Sequence, residues 1–277
     1  MTQTFFNMCK LFLGIACLGT PHGFSHAGIF LGPVILVVVT TLCIYTIYLQ
    51  SEARNKAGNH VKSYSDLGMA VYGNVGKTLT DVFLSIAQFG IGVAYLVFNG
   101  TQINQVICYE SQGEVCGLKN TYIWIVVCLL TPIIWIKTMK KLSIVSMFAL
   151  TVMFTSVFTI IYYSVIYISE DTYPSRDIKS FDILESPLFF GIAILNFEGN
   201  PASINVQASM KNPLKFKNII FASGLTVGTL VVVMSSFAYL AFGSYVEDLI
   251  TLNLPHTPFT TLIRLCYSLG LILSFPI

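Results

Sequence analysis

Charge is what this chain has least of. Only 10% of its 277 residues are Asp, Glu, Lys or Arg, where a soluble domain carries about a quarter, and that scarcity excludes a water-soluble globular body. The net charge of +2 is small and dispersed, which excludes a basic nucleic-acid surface. Seven cysteines include no CxxC and no Cys/His ligand spacing, so no metal or redox centre is expected. A basic n-region is missing from the N-terminus, and the first apolar run leads directly into a second, so no cleavable signal is read there. No nucleophile, base and orienting group can be assembled, so the chain is not read as an enzyme and no cofactor is expected.

What is abundant is apolar surface: 55% of residues are hydrophobic and the mean hydropathy is +0.74. A spanning helix needs roughly 20 apolar residues. Runs of that kind predict an all-α polytopic membrane protein with eight spans, at 5–27 (interrupted), 29–49, 78–107, 121–136, 143–168, 187–209 (interrupted), 218–242 and 258–277. Segment 121–136 is short but carries Trp124 and Trp135 near its ends, as an aromatic belt does. Ser63-Tyr64-Ser65-Asp66 has the form of a capping box and predicts a short helix on the cytoplasmic interface, an ordinary loop being the alternative.

Lys and Arg set the orientation. With the N-terminus in the cytoplasm, 11 of the 15 basic residues, from Lys10 and Arg54 to Lys215 and Lys217, lie on the cytoplasmic side. Only Lys119, Arg176 and Lys179 lie outside, and Arg264 sits in the last span, reaching for the outer surface. The positive-inside rule therefore predicts a cytoplasmic N-terminus. Cys108 and Cys116 flank an outer loop, where a local disulfide and two separate thiols are both open. His22 and His26 are placed in a turn after span one, solvated or capping.

Two spans are interrupted. Span one reads Leu13-Gly14-Ile15-Ala16-Cys17-Leu18-Gly19-Thr20-Pro21, and span six reads Leu195-Asn196-Phe197-Glu198-Gly199-Asn200-Pro201. Glycine costs a helix about 1 kcal/mol and proline about 3. Freed backbone inside a membrane must be satisfied by protein or by a water-filled cavity. Paired breaks in corresponding spans are how inverted-repeat transporters build a midplane site; close helix packing is the alternative for either break alone. Backbone N–H groups can hold a carboxylate and carbonyls an ammonium, which suits a zwitterion. Glu198 is read as the only acidic residue within a span, a candidate for proton coupling or for a structural hydrogen bond. Tyr95 and Asn99, one turn apart on span three, face a polar cavity or bond between helices.

These residues carry a resemblance. Gly14 with Leu18-Gly19-Thr20-Pro21, Gly32-Pro33, Tyr64-Ser65-Asp66-Leu67-Gly68, Gln88-Phe89-Gly90, Lys141-Leu142-Ser143, Phe197-Glu198-Gly199, Met210-Lys211-Asn212-Pro213 and Tyr267-Ser268 occur in an order and spacing similar to the amino acid/auxin permease superfamily, in its proton-assisted amino-acid transporter branch. The resemblance implies an inverted-repeat fold of five plus five helices and an eleventh. The chain 1–277 is then a single transmembrane domain of helices one to eight, its second repeat incomplete, and it looks truncated after Ile277. The implied function is secondary transport of small neutral amino acids, with a proton or other coupling ion, in a plasma or vacuolar/lysosomal membrane. The alternative is a truncated, non-transporting sensor or scaffold. By position, Gly14, Ala16, Cys17, Gly19, Tyr95, Phe197 and Gly199 are the implied substrate-binding residues and Glu198 the coupling candidate. The chain departs from the family pattern at Ala16, Asn7, Gln207 and Pro201, which bears on coupling and substrate rather than on fold.

Overall fold

The computed structural model describes residues 2–58, 60–111, 116–134, 139–173, 175–197, 199–210 and 212–274. Among the described residues there are ten α-helices and no strand: α1 (Thr2–Phe12), α2 (Thr20–Ala27), α3 (Leu31–Ala57), α4 (Tyr64–Glu110), α5 (Lys119–Ile134), α6 (Met139–Ser169), α7 (Ser186–Leu195), α8 (Ser203–Ala208), α9 (Phe216–Phe242) and α10 (Pro258–Ser274). Trp135, Lys137, Lys211, Glu114, Glu198 and Ile277 lie outside the described residues.

The bundle is organised around α9. Ile220, Ser223, Gly224, Val227, Val231, Met234, Ala238 and Phe242 are buried at steps of three and four, the period of one helix face. α9 packs against α1, α2, α3 and α6, while α10 packs on α6 and α4. Small residues set the closest of these approaches: Gly224 faces Ile44 of α3, and Gly228 faces Thr40, a small-xxx-small seam of the kind that membrane helices use. The other side of the helices is apolar and exposed, with Val34, Val37 and Leu42 on α3, Val82, Phe83, Ile86 and Phe89 on α4, and Phe158 and Tyr162 on α6. An outward apolar surface of that kind is what a membrane helix turns to lipid or to a neighbouring helix.

Among the described residues four helical stretches are long and apolar enough to cross a membrane: α3, α4, the Ala149–Ser169 part of α6, and Pro213–Tyr245 around α9. The interrupted pair Thr2–Phe12 and Ile15–Ala27, bent by 49°, makes a fifth. The other expected spans are shorter among the described residues: α5 has 16 residues, α10 has 17, and the sixth is divided into α7 and α8.

Several sequence expectations change in detail. The capping box is present: Ser63 Oγ accepts from the Asp66 N–H at 3.1 Å, and Asp66 accepts from the Ser63 N–H at 3.0 Å. The helix it starts does not lie apart from span three. Tyr72 and Gly73 leave the helical conformation, Gly73 at φ +63°, a region that glycine enters without strain. The chain then doubles back, so that a Cβ at Gly76 would overlap the Gly68 carbonyl oxygen, and Ser65 hydrogen-bonds to Asp81. Asp81 falls inside the stretch expected to be span three, so Glu198 is not the only acidic residue of a span; Asp81 is tied to the turn at that span's end. Cys108 and Cys116 form the local disulfide. His22 and His26 lie within α2 rather than in a turn, facing Asp248 at 3.4 Å and Glu185 at 3.1 Å. Arg264 does not reach the surface: it is 1% exposed and donates to the Leu254 carbonyl at 2.7 Å.

The glycine pair at this turn makes a test. Gly76→Val forces the two arms apart and is expected to destabilise by about 1–3 kcal/mol, the range for overpacking. Gly90, with nothing within 4 Å of an added Cβ, is the control. In thermal unfolding of the purified protein, Gly76→Val should lower Tm by several degrees, while Gly90→Ala should not lower it and should raise it if anything.

Candidate functional site

In span one α1 ends at Phe12. Leu13 is bonded to Cys9 at 3.0 Å, and Gly14 is extended (φ −93°, ψ −169°). A 3-10 turn, Ile15–Gly19, then leads into α2, whose second residue is Pro21. The break is therefore narrower than Gly14–Pro21, because proline at the first turn of a helix costs no hydrogen bond. Thr20 closes the turn, donating to the Cys17 carbonyl at 2.7 Å and sharing a 2.6 Å hydrogen bond with Ser235 of α9.

In span six α7 ends at Leu195, and α8 begins at Ser203 after a 3-10 turn at Asn200–Ala202. The span-six break meets the last turn of α1, just before the span-one break. A Cβ at Gly199 would stand 2.7 Å from both the Cβ and the carbonyl oxygen of Leu11. One residue on, the Phe12 ring meets the Phe197 ring edge-on, with centroids 5.4 Å apart.

A third element, α10, covers the span-one break. The Tyr267 hydroxyl of α10, 1% exposed, donates to the Gly14 carbonyl at 3.3 Å and stands 3.8 Å from Cys17 Sγ. Its ring meets Phe98 of α4 at 5.8 Å. Buried polar atoms without a protein partner gather on the same elements: the amide oxygens of Asn196 and Asn200 at the span-six break, and Lys10 Nζ on α1. Buried polar groups are normally bonded, so a polar ligand or solvent fits these positions better than apolar packing does.

Of the residues singled out from sequence, Gly14 and Cys17 converge on Tyr267, while Phe197 and Gly199 converge on Phe12 and Leu11. Gly19 lies at the outer edge, where an added Cβ would be 3.5 Å from the Asp248 carbonyl oxygen. Ala16 is half-buried on the 3-10 turn. Tyr95 packs against the same core, and its carbonyl accepts from Asn99 Nδ2 at 2.8 Å. Asn99 thus bonds within its own helix, and Gln88 is exposed. Glu198 lies outside the described residues. Sequence reasoning missed Tyr267, Lys10, Asn196 and Asn200. Tyr267 had one signal, a hydroxyl inside an otherwise apolar run; the asparagines flank Phe197-Glu198-Gly199 directly.

A cluster of charged groups lies in the loop between α6 and α7. Asp182 is held below the usual carboxylate range by the Glu185 N–H and by Lys179, and Glu185 by His26 and Lys179. Lys179 is raised in turn by Glu185 and Asp182. An apolar cleft lined by Phe158, Ile161, Leu225, Leu230 and Val233 lies between α6 and α9, and it contains no residue of either break.

Comparison with known proteins gives one family. The family described as "Transmembrane amino acid transporter protein" matches residues 1–277. Among curated relatives, vacuolar amino acid transporter 4 of Saccharomyces cerevisiae is 28% identical over 99% of this chain and 39% of its own length. Amino acid transporter AVT3C of Arabidopsis thaliana is 28% identical over 99% of this chain and 67% of its own. Amino acid transporter ANT1 of the same plant is 29% identical over 99% and 64%. The chain thus spans 39 to 67% of the length of these relatives.

The contact between the breaks can be tested alone. Gly199→Ala sets a methyl against Leu11 backbone, which cannot swing aside as a side chain can, so about 1–3 kcal/mol of destabilisation is expected. A Tm unchanged from wild type in Gly199→Ala would show that the breaks do not pack as described.

Proposed function

The chain belongs to the transmembrane amino acid transporter family, and we propose that it forms helices one to eight of an eleven-helix inverted-repeat carrier for small neutral amino acids. Residues 1–277 are then one transmembrane domain, with the N-terminus in the cytoplasm. The observation that carries this reading is the backbone contact between the two interrupted spans, Gly199 on Leu11 with Phe197 on Phe12. The unwound span-six backbone is thereby held against the last turn of α1, just before the extended Gly14, which brings the N–H and C=O groups of the two breaks into one neighbourhood, the pairing that a zwitterion needs.

In this mechanism the substrate carboxylate is held by N–H groups of the Gly14–Gly19 stretch, with Ala16 and Cys17 lining it. The ammonium faces the carbonyl end of α7 and the amide oxygens of Asn196 and Asn200. Phe197, Gly199 and Tyr95 bound the side-chain space, and a small space selects small side chains. Tyr267, bonded to Gly14, orients the span-one break from the outer side. Few charged groups are needed, in keeping with the composition.

Glu198 is the proposed coupling group, placed by sequence between Phe197 and Gly199. A carboxyl at membrane depth favours its neutral form, so it takes a proton from the acidic side and releases it to the cytoplasm. The relatives named as vacuolar support a vacuolar or lysosomal membrane over the plasma membrane.

Two experiments test this. In proteoliposomes containing the full-length protein, wild type should accumulate a small neutral amino acid against its gradient when a pH gradient is imposed. Glu198→Gln should abolish accumulation while leaving exchange and Tm near wild type; accumulation with an unchanged pH profile would reject Glu198 as the coupling group. Substrate binding with no flux in wild type would favour a sensor. Separately, Ser175→Cys in the outer loop should react with a membrane-impermeant maleimide only from the extracytoplasmic side, and labelling only from the cytoplasm would reverse the topology.

A further inference from the structure

The segment between α9 and α10 crosses the outer end of the bundle and is pinned to three helices. On α2, His22 Nδ1 bonds the Val246 carbonyl at 3.2 Å, and Nε2 lies 3.4 Å from Asp248. On α4, Gln102 Nε2 donates to Thr251 Oγ1 at 2.5 Å. On α10, Arg264 donates to the Leu254 carbonyl at 2.7 Å. The segment also passes beside Gly19, the end of the span-one 3-10 turn. It acts as a strap over the outer side of the span-one break.

The strap ends at His256, whose setting is unusual. Its ring lies flat on Tyr109 of α4, with centroids 3.9 Å apart and planes 8° apart. Its Nδ1 stands 3.2 Å from Arg264 Nη1. A guanidinium can only donate, so this bond exists only while Nδ1 keeps its lone pair. Arg264 is 1% exposed, its Nε has no acceptor, and no carboxylate lies within ion-pair distance of it among the described residues. A proton on His256 therefore does two things together: it removes the acceptor, and it sets a second cation beside a buried one that has nothing to neutralise it.

We propose that His256 is a proton-binding site separate from Glu198, and that its protonation releases the strap from α4 and α10. The ionisable groups facing it are Arg264 from α10 and Tyr109 and Glu110 from α4. Burial, and then Arg264, push its pKa below the ordinary value of 6.5, while Glu110 acts in the opposite sense. The sign follows: the released state binds the proton more readily, so the tie is at full strength above the ordinary histidine value and weakens as pH falls below it toward the pKa of the tied state. An acidic outer compartment thus loosens the cover over the span-one break. Only this last link, to access for substrate, rests on the transport reading above.

Hydrogen–deuterium exchange on the full-length protein tests the tie without transport. Corrected for intrinsic rates, protection of residues 249–256 should fall by roughly tenfold between about pH 7.5 and pH 5.5, the range in which histidine switches operate. Arg264→Gln should lose that protection at both pH values. His256→Asn, which keeps an acceptor near the Nδ1 position but cannot titrate, should remove the pH dependence. NMR of ring-labelled histidine in wild type should place the His256 titration below the ordinary value and coincident with release. Equal protection at both pH values in wild type, acid release surviving in His256→Asn, or a His256 titration unaccompanied by loss of protection would each overturn the proposal. Acid release in a protein that proves not to transport would leave the proton site standing and reject only the carrier reading.

Discussion

Backbone polarity in a place without water is the constraint on which this molecule turns. A chain with so few charges has apolar helices as its only means of filling a bilayer, and a helix satisfies its own N–H and C=O groups. Where two helices are interrupted, those groups need other partners. In span one they include the Thr20 hydroxyl on the Cys17 carbonyl, itself held by Ser235, and the Tyr267 hydroxyl on the Gly14 carbonyl. The close approach of Gly199 to Leu11 is what makes the arrangement mutual rather than two separate defects. Removing a side chain at position 199 brings one main chain against another, and the phenyl rings of Phe12 and Phe197 seal the contact.

α9 supplies the rigid background for this. One face of it is buried from end to end and touches α1, α2, α3 and α6, so both halves of the interrupted span one pack on the same helix. Packing in membranes gains little from hydrophobic transfer between helices and relies on close fit. The seam at Gly224 and Gly228 gives that fit against α3, and Ser235 gives α9 a polar contact at the bend itself.

The helical, membrane-spanning class was legible because composition and apolar run length carry it directly. The two interruptions were legible because Gly and Pro mark them locally: Gly14 and Gly19 in one span, Gly199 and Pro201 in the other. Less legible was anything that depends on which residues meet across space. Pro21 looked like part of the break, yet it begins α2, since sequence does not say on which side of a break a proline falls. Arg264 looked like a snorkelling cation because its helix starts at an interface, and only the fold reveals the Leu254 carbonyl and His256 waiting beneath it. The hairpin at Tyr72–Gly73 escaped because a glycine within a helical pattern is compatible with a straight helix. Tyr267 read as part of the family-like Tyr267-Ser268 pair and Lys10 as a basic residue on the cytoplasmic side until the opposing elements were in view.

The outer ends of the molecule have a mechanical consequence. α2 is eight residues long, about 12 Å at helical rise, and both outer loops are buckled to it. Ile29 and Phe30 bond to the carbonyls of Lys179 and Ser180, Asp182 returns a bond to Ala27, and His26 meets Glu185. On the other flank His22 holds Val246 and Asp248. An element clasped on two sides cannot move alone: any tilt of α2 carries both loops with it. The two loops, far apart in sequence, are thereby tied to one another through eight residues of helix.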